Sequence, residues 1–419
     1  MLDNLIFNDL FPFNFFSLLL IMTKTRRTHP KWTTLSKTRK NTRSKSMPLK
    51  PVIKEFKQLL LNDPVERLYM ERMITSIPKL THKQLAEGRP PKDVDSLLDH
   101  LNSLLSQAPE FDEKLTVGTP ISALLLWTMG SSYGFDAYRR VRINNMFKKV
   151  LAVYKDFLDS PQSRYVLNTG KNGWFSPAAL KKIDMSQYQH DPKAKYFGFK
   201  SWNDFFTRKL VKGVRPISDP DDNKVVVSAC DSTVYRIRHN VKRFAKFWLK
   251  SQPYSLHDML AGDEHYVNKY VGGTVYQAFL NPFNYHRWHS PIDGTIEKAF
   301  VQPGYYFVQS ESVGEDPSIQ DGSEGYLTNI QTRALIYIKA DHKPLGTVCV
   351  MPTGMVEISS CNIHPRIKPG YKVKKGEELG YFAYGGSTHC LFFEPNVLKK
   401  LIPKKDEFIK MGEKLAIAN

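Results

Sequence analysis

The chain has 419 residues, 41% hydrophobic and 12% aromatic, enough to bury a full core and unlike either a disordered chain or a multi-span membrane protein. Its net charge is +19, to which residues 23–47 contribute nine lysines or arginines and no acid. No zinc spacing, helix-turn-helix pattern or aromatic RNA-binding motif accompanies that charge. Nucleic acid is therefore not the expected partner, and a peripheral contact with an anionic membrane surface takes its place.

In chain order, residues 1–47 read as a basic extension, disordered or membrane-proximal. Its apolar run is broken by Asn8, Asp9, Pro12 and Asn14, and the near-continuous stretch 15–22 is too short to span a bilayer. The positive charge follows the apolar run, the reverse of a signal peptide. The expected location is cytoplasmic or peripheral to a membrane. Residues 48–160 read as a helical domain, with apolar residues returning every three or four positions in VIKEFKQLLL, VDSLLDHLNSLL and FKKVLAVYKDFL. Residues 161–215 form a connector with short helices, including SWNDFFTRKL, where Ser201 caps and Asp204 follows three residues later.

Beyond Pro216 the period changes. KVVVSACDSTVYRI, GTVYQAFL, GTIEKAF, ALIYIKA, LGTVCVMPTG and ELGYFAYG are short β-branched or aromatic runs separated by Gly, Pro and Asp turns. The expected fold class is α+β: a helical N-terminal domain followed by a mainly antiparallel β catalytic core over 216–419. IKPGYKVKKGEELGYF reads as a plain β-hairpin in which Gly370, Gly376 and Gly380 let the strands turn. The four cysteines, Cys230, Cys349, Cys361 and Cys390, lie far apart with no C-x-x-C spacing, so they read as reduced, mostly buried thiols and not as a disulfide framework or a metal site.

Three separated segments carry candidate chemistry. SACDS places Asp231 at a break in an apolar strand; NPFNYHRWHSPIDGTI brings His286 and His289 together beside Arg287; and YFAYGGSTHCLFFEP sets Gly385, Gly386, Ser387 and Thr388 between two strand-like runs. An Asp, a His and a Ser from distant strands can form a relay in which a carboxylate orients an imidazole and the imidazole takes a hydroxyl proton. Each also has a plain reading: a strand end, packing histidines, a tight Gly-Gly turn.

DFFTRKLVKGVRPI, SACDS, YHRWHSPIDG and GGST, in that order, resemble the phosphatidylserine decarboxylases, over about 201–395. LKPVIKEFKQLLLNDPVERLYM resembles the helical N-terminal domain of the branch that includes fungal L-tryptophan decarboxylases, and PGYYFVQ and GMVEISSC also sit closer to that branch. The resemblance implies self-cleavage between Gly386 and Ser387, with Asp231 holding His289, His289 removing the Ser387 proton, and Ser387 ending as a covalent pyruvoyl cofactor. It implies two chains, 1–386 and 387–419, that remain associated, and a homo-oligomer. It further implies decarboxylation of an amino-group-bearing substrate, with phosphatidylserine favoured over a free amino acid such as tryptophan, and His286 as the acid that re-protonates the product carbon. Phe205, Phe206 and Arg208 match a family motif and either contact substrate or pack a short helix. Arg287 either meets a substrate carboxylate or phosphate or forms an internal salt bridge. One departure stands out: the Asn-Glu-Arg motif of the lipid enzymes is replaced by LTNIQTRALIYI, with Asn329 and Arg333 apart, which puts substrate identity in doubt.

Overall fold

The computed structural model describes residues 47–82, 85, 89–112, 119–244, 255–308, 323–354, 357, 361–384 and 387–419, with backbone alone at 323–326. The basic extension expected over 1–47 lies outside these residues except for Met47.

Helices occupy the first part, and prolines start several of them. Pro51–Asn62 (α1), Pro64–Thr75 (α2), Pro120–Met129 (α4) and Pro177–Lys182 (α7) each begin with a proline, whose missing N–H costs a first turn nothing. Val94–Leu104 (α3) is opened by a capping box between Asp93 and Ser96. Gly134–Arg139 (α5) leads into the longest helix, Val141–Asp159 (α6), which buries Ile143, Met146, Phe147, Val150, Leu151, Tyr154 and Leu158 along one face. In Trp202–Phe206 (α8) the Ser201 hydroxyl accepts from the Asp204 N–H at 3.0 Å, the expected cap, while the Asp204 carboxylate turns back to the Lys200 N–H. Two short helices, Leu256–Met259 (α9) and Glu264–Tyr270 (α10), and Ser323–Ile330 (α11) follow within the β region.

The strands are Val225–Val227 (β1), Ser232–His239 (β2), Thr274–Leu280 (β3), Arg287–His289 (β4), Gly294–Gln302 (β5), Arg333–Ala340 (β6), Thr347–Gly354 (β7), Cys361–Ile363 (β8), Lys372–Val373 (β9), Glu378–Phe382 (β10), Ser387–Phe393 (β11), Leu398–Leu401 (β12), Phe408–Ile409 (β13) and Lys414–Ala418 (β14). Among the described residues every pairing between these strands is antiparallel, in an eight-stranded sheet ordered β13-β2-β3-β11-β7-β6-β5-β9 and two small sheets, β1-β14-β12 and β4-β10-β8. The large sheet is buried on both faces. Alternation along β11 sends Leu391 and Phe393 toward the small sheets, with Trp288, Phe382 and Leu415, and sends Cys390 and Phe392 toward α9 and α10. All four cysteines are free and buried.

Register makes one end of this sheet special. Ser387 pairs with Leu280 on one side and Gly354 on the other, Arg333 with Thr353 and Gln302, and Thr233 with Phe279. At that end β3, β5 and β7 finish and β2, β6 and β11 begin. The segments leaving it include Asp231, residues 281–286, residues 303–308, Glu357 and Tyr384. The helices pack on these segments: Tyr285, Tyr306, Phe307, Val308 and Tyr384 share one apolar core with α1 to α8.

The hairpin expected over IKPGYKVKKGEELGYF does not form. β9 joins the edge of the large sheet beside β5, whereas β10 crosses to β4 and β8. The turn at 374–377 is closed locally by Lys374 N–H to Glu377, and Gly376 N–H donates to the Ser290 carbonyl, so the chain is redirected and not folded back. Gly380 serves packing instead of turning. A Cβ there would lie 2.1 Å from the Asn362 carbonyl oxygen and 2.5 Å from the Trp288 ring. Gly380→Ala is expected to cost about 1–3 kcal/mol through overpacking, read as a lower urea midpoint with an unchanged m-value.

Candidate active site

The site is built where the loops leave the large sheet. Ser387 opens β11, is fully buried, and among the described residues its Oγ has no hydrogen-bond partner. Gly385 and Gly386, and with them the expected scissile bond on its amino side, lie outside the described residues.

After β3 the chain makes a tight Asn turn: Asn281 N–H donates to Asn284 Oδ1 at 2.8 Å, and Phe283 N–H to Asn281 Oδ1 at 2.9 Å. Arg208 braces it by donating to the carbonyls of Phe283 at 2.6 Å and Asn284 at 3.1 Å. The turn delivers His286, fully buried and stacked on Phe206 at 4.0 Å between ring centroids. Burial and then the Arg208 charge hold the His286 imidazole well below its ordinary pKa, so it is neutral. Phe205 faces away into a cluster with Trp174, Phe175 and Phe199, which is packing.

His289 Nδ1 lies 2.8 Å from the Gly376 carbonyl oxygen. A carbonyl only accepts, so Nδ1 carries the hydrogen and Nε2 accepts from the Tyr285 hydroxyl at 2.9 Å. Burial lowers the His289 pKa, opposed by the Gly376 bond and by the charges of Glu378 and Asp231. Asp231, expected to hold His289, accepts no hydrogen bond from that ring, whose Nδ1–H goes to Gly376. Asp231 is clamped by Arg215, with Nε to Oδ1 at 3.0 Å and Nη2 to Oδ2 at 2.5 Å, and accepts the Met411 N–H at 2.8 Å. A buried guanidinium needs a forked acceptor, and Asp231 supplies it. Its charge reaches His289 through space.

Arg287 takes the internal alternative. It donates to the Thr207 carbonyl at 2.8 Å and pairs with Glu378 at 2.5 Å, so its guanidinium is committed within the core. Arg333 is likewise committed, to the carbonyls of Met259, Asp258 and Gln331. Among the described residues no three His, Cys, Asp or Glu side chains group as a metal ion would require, and no helix is long and apolar enough to cross a membrane.

Four further groups border this end of the sheet. Tyr285 and Arg215 stood inside the quoted motifs YHRWH and KGVRPI, and only tertiary contacts distinguish them. Glu357 was visible as an acid in the apolar run GMVEISSC. His389 lies on the same face of β11 as Ser387, and its ring is 5.8 Å from Tyr276. Burial pushes the His389 pKa down to about 3.

Three buried neutral histidines make the fold acid-sensitive. An unfolded histidine titrates near 6.5, whereas His286, His289 and His389 resist protonation when folded. Their contribution is therefore complete above pH 6.5 and is lost as pH falls, because the unfolded chain then binds more protons. Between pH 7 and 5.5 the expected loss is about 1 kcal/mol for each of His286 and His389 and less for His289, measured by urea denaturation. Imidazole NMR signals of His286 and His389 should stay unshifted over that range, and titration of either near 6.5 would contradict the burial argument.

Comparison with known proteins bears on the family of the chain. A family model described as phosphatidylserine decarboxylase matches residues 202–417, and a second of the same description matches residues 50–183. The chain is 37% identical over 297 residues to the decarboxylase iboD of Amanita muscaria, covering 66% of this chain and 84% of that protein. It is 30% identical over 381 residues to the L-tryptophan decarboxylase of Psilocybe cubensis, covering 85% and 83%. With the phosphatidylserine decarboxylase proenzyme 3 of Schizosaccharomyces pombe it shares 30% identity over 226 residues, covering 52% of this chain and 22% of that one. The chain belongs to the phosphatidylserine decarboxylase family of carboxy-lyases.

Proposed function

We propose that the chain is a self-processing, pyruvoyl-dependent decarboxylase acting on a free amino acid with an aromatic side chain. The observation that carries the self-processing is Ser387: its hydroxyl is buried and unpartnered among the described residues, at the first position of a strand paired along both edges. A group formed from Ser387 fits this position. Its backbone is gripped by β3 and β7, and the pieces 387–419 and 1–386 stay joined through β11, β13 and β14. A pyruvoyl ketone supplies the electron sink that loss of CO2 from an amino acid requires.

The chain's own residues do the rest. His289 Nε2 is the basic atom that draws the Ser387 proton, with the Tyr285 hydroxyl bonded to it as the path. Asp231 favours the resulting imidazolium through its charge. In turnover the N–H of one His286 ring nitrogen passes its proton to the substrate carbon while the other ring nitrogen takes up a proton from the medium, so the imidazole ends neutral as it began, with Phe206 holding the ring flat. The helical part excludes water. Trp202 meets Tyr384 at 4.6 Å and Tyr154 meets it at 5.7 Å, and a carboxylate in such dry surroundings is poised to leave as CO2.

The free amino acid is favoured because this aromatic wall comes from the helical region, and relatives matched over 85% and 88% of this chain are proteins named L-tryptophan decarboxylase. Phosphatidylserine is the second reading, supported by the phosphatidylserine decarboxylase proenzymes that match 47–56% of this chain and by the net charge of +19.

Denaturing mass spectrometry should find a fragment of residues 387–419 with a blocked, ketone-bearing amino end, and Ser387→Ala should remain one chain. A cleaved Ser387→Ala protein overturns the assignment. His286→Phe should still cleave yet release CO2 about 100-fold more slowly or worse. CO2 release from L-tryptophan and L-phenylalanine, beside phosphatidylserine in detergent, decides the substrate; turnover of the lipid alone rejects the free-amino-acid reading.

A further inference from the structure

Glu357 is a carboxyl that local structure does not call for. It is 1% exposed, three residues beyond Gly354, the β7 partner of Ser387. Three residues of chain reach at most about 10 Å, so it stays beside the cleavage strand. Its Oε1 accepts the Ile121 N–H at the start of α4, a helix whose own N-cap residue, Thr119, gives no side-chain bond. Among the described residues neither its Oε2 nor the buried Ser122 hydroxyl makes a hydrogen bond of full geometry, although the Ser122 and Tyr384 hydroxyls lie close enough to favour the carboxylate form. Burial pushes the Glu357 pKa up to about 8, against the lowering effects of the Ile121 and Ser122 N–H groups and of the Ser122 and Tyr384 hydroxyls. The titratable groups facing it are Tyr154 from α6 and Tyr384 from the segment before β11, both phenols held well above their ordinary range by burial. No cation is among the groups that shift it.

A helix N-cap requires one acceptor, which a local Ser or Asp provides cheaply. Sending a carboxyl from another region and leaving its second oxygen without a partner is costly unless a ligand completes it. An ammonium group has three donors and no acceptor. Glu357 Oε2 and Ser122 Oγ are two acceptor oxygens at one place, and the Tyr384 hydroxyl, itself engaged with Tyr154 and Glu357, lies beside them three residues before Ser387. The positive end of α4 keeps the carboxylate form accessible without neutralising it.

We propose that Glu357 binds the α-ammonium of the substrate and takes one proton from it, so that the substrate meets the mature centre as a free amine. One N–H bond breaks and one O–H bond forms: ammonium and carboxylate become amine and carboxylic acid, with no change in oxidation state. The inference rests on the decarboxylase reading only in needing an amine, which free amino acids and phosphatidylserine share.

Calorimetric titration of the full-length Ser387→Ala chain with L-tryptophan, in buffers of different ionisation heat, reads the proton directly. Below pH 8 most Glu357 is protonated, so a bound ammonium must displace that proton. About one proton should be released per ligand at pH 6.5 and close to none at pH 9, with affinity rising about tenfold per pH unit on the acid side. Ser387→Ala combined with Glu357→Gln should release none and bind independently of pH, and indole-3-propionate, which lacks the amine, should release none with either chain. No release from the Ser387→Ala chain at pH 6.5, or equal release after Glu357→Gln, overturns the proposal. Should the Gln variant fail to fold, Glu357→Asp replaces it: the shorter carboxylate should keep the proton release with weaker binding, and its absence counts against the proposal. If the wild-type enzyme decarboxylates phosphatidylserine and not tryptophan, the same titration with glycerophospho-L-serine applies. The substrate reading then falls while this inference is judged on its own numbers.

Discussion

The rest of the structure depends on the double pairing of β11. Ser387 is hydrogen-bonded into a sheet through Leu280 on one side and Gly354 on the other, although it is the first residue of its strand. A residue at a free strand end frays; one paired on both edges does not. The chain immediately before it can then change without the strand moving, and every segment that leaves the same end of the sheet keeps a fixed distance to it.

That constraint explains why the helical region is integral. Its core continues into Tyr285, Phe307 and Tyr384, residues from loops of the β region. The helices close the end of the sheet and supply aromatic surface there. A catalytic centre in water would solvate a departing carboxylate and a developing negative charge equally well, whereas a dry aromatic enclosure favours the uncharged product.

The electrostatics follow from the same enclosure. Burial pushes the histidines toward the neutral form, a buried arginine claims Asp231, and burial pushes Glu357 toward its protonated form. Asp231 and His289 therefore communicate by charge and not by contact. Arg287 and Arg333, which look available for an anionic substrate, are consumed by Glu378 and by the carbonyls at the end of α9.

The sequence by itself determined the order of helices and strands, because periods of 3.6 and 2 are written into neighbouring residues, and it marked Asp231, His286, His289 and Ser387 through short motifs. Which of these touch each other was decided only by tertiary structure. The Asp231–Arg215 clamp spans 16 residues and the Glu357–Ile121 bond spans 236, so no local pattern encodes either. The 372–382 segment shows the same limit: its Gly and Lys spacing fits a hairpin, but the competing edges of β5 and β4 took its two strands apart. Local preference is a property of adjacent residues, while pairing and charge compensation belong to whatever surface the folded chain brings opposite.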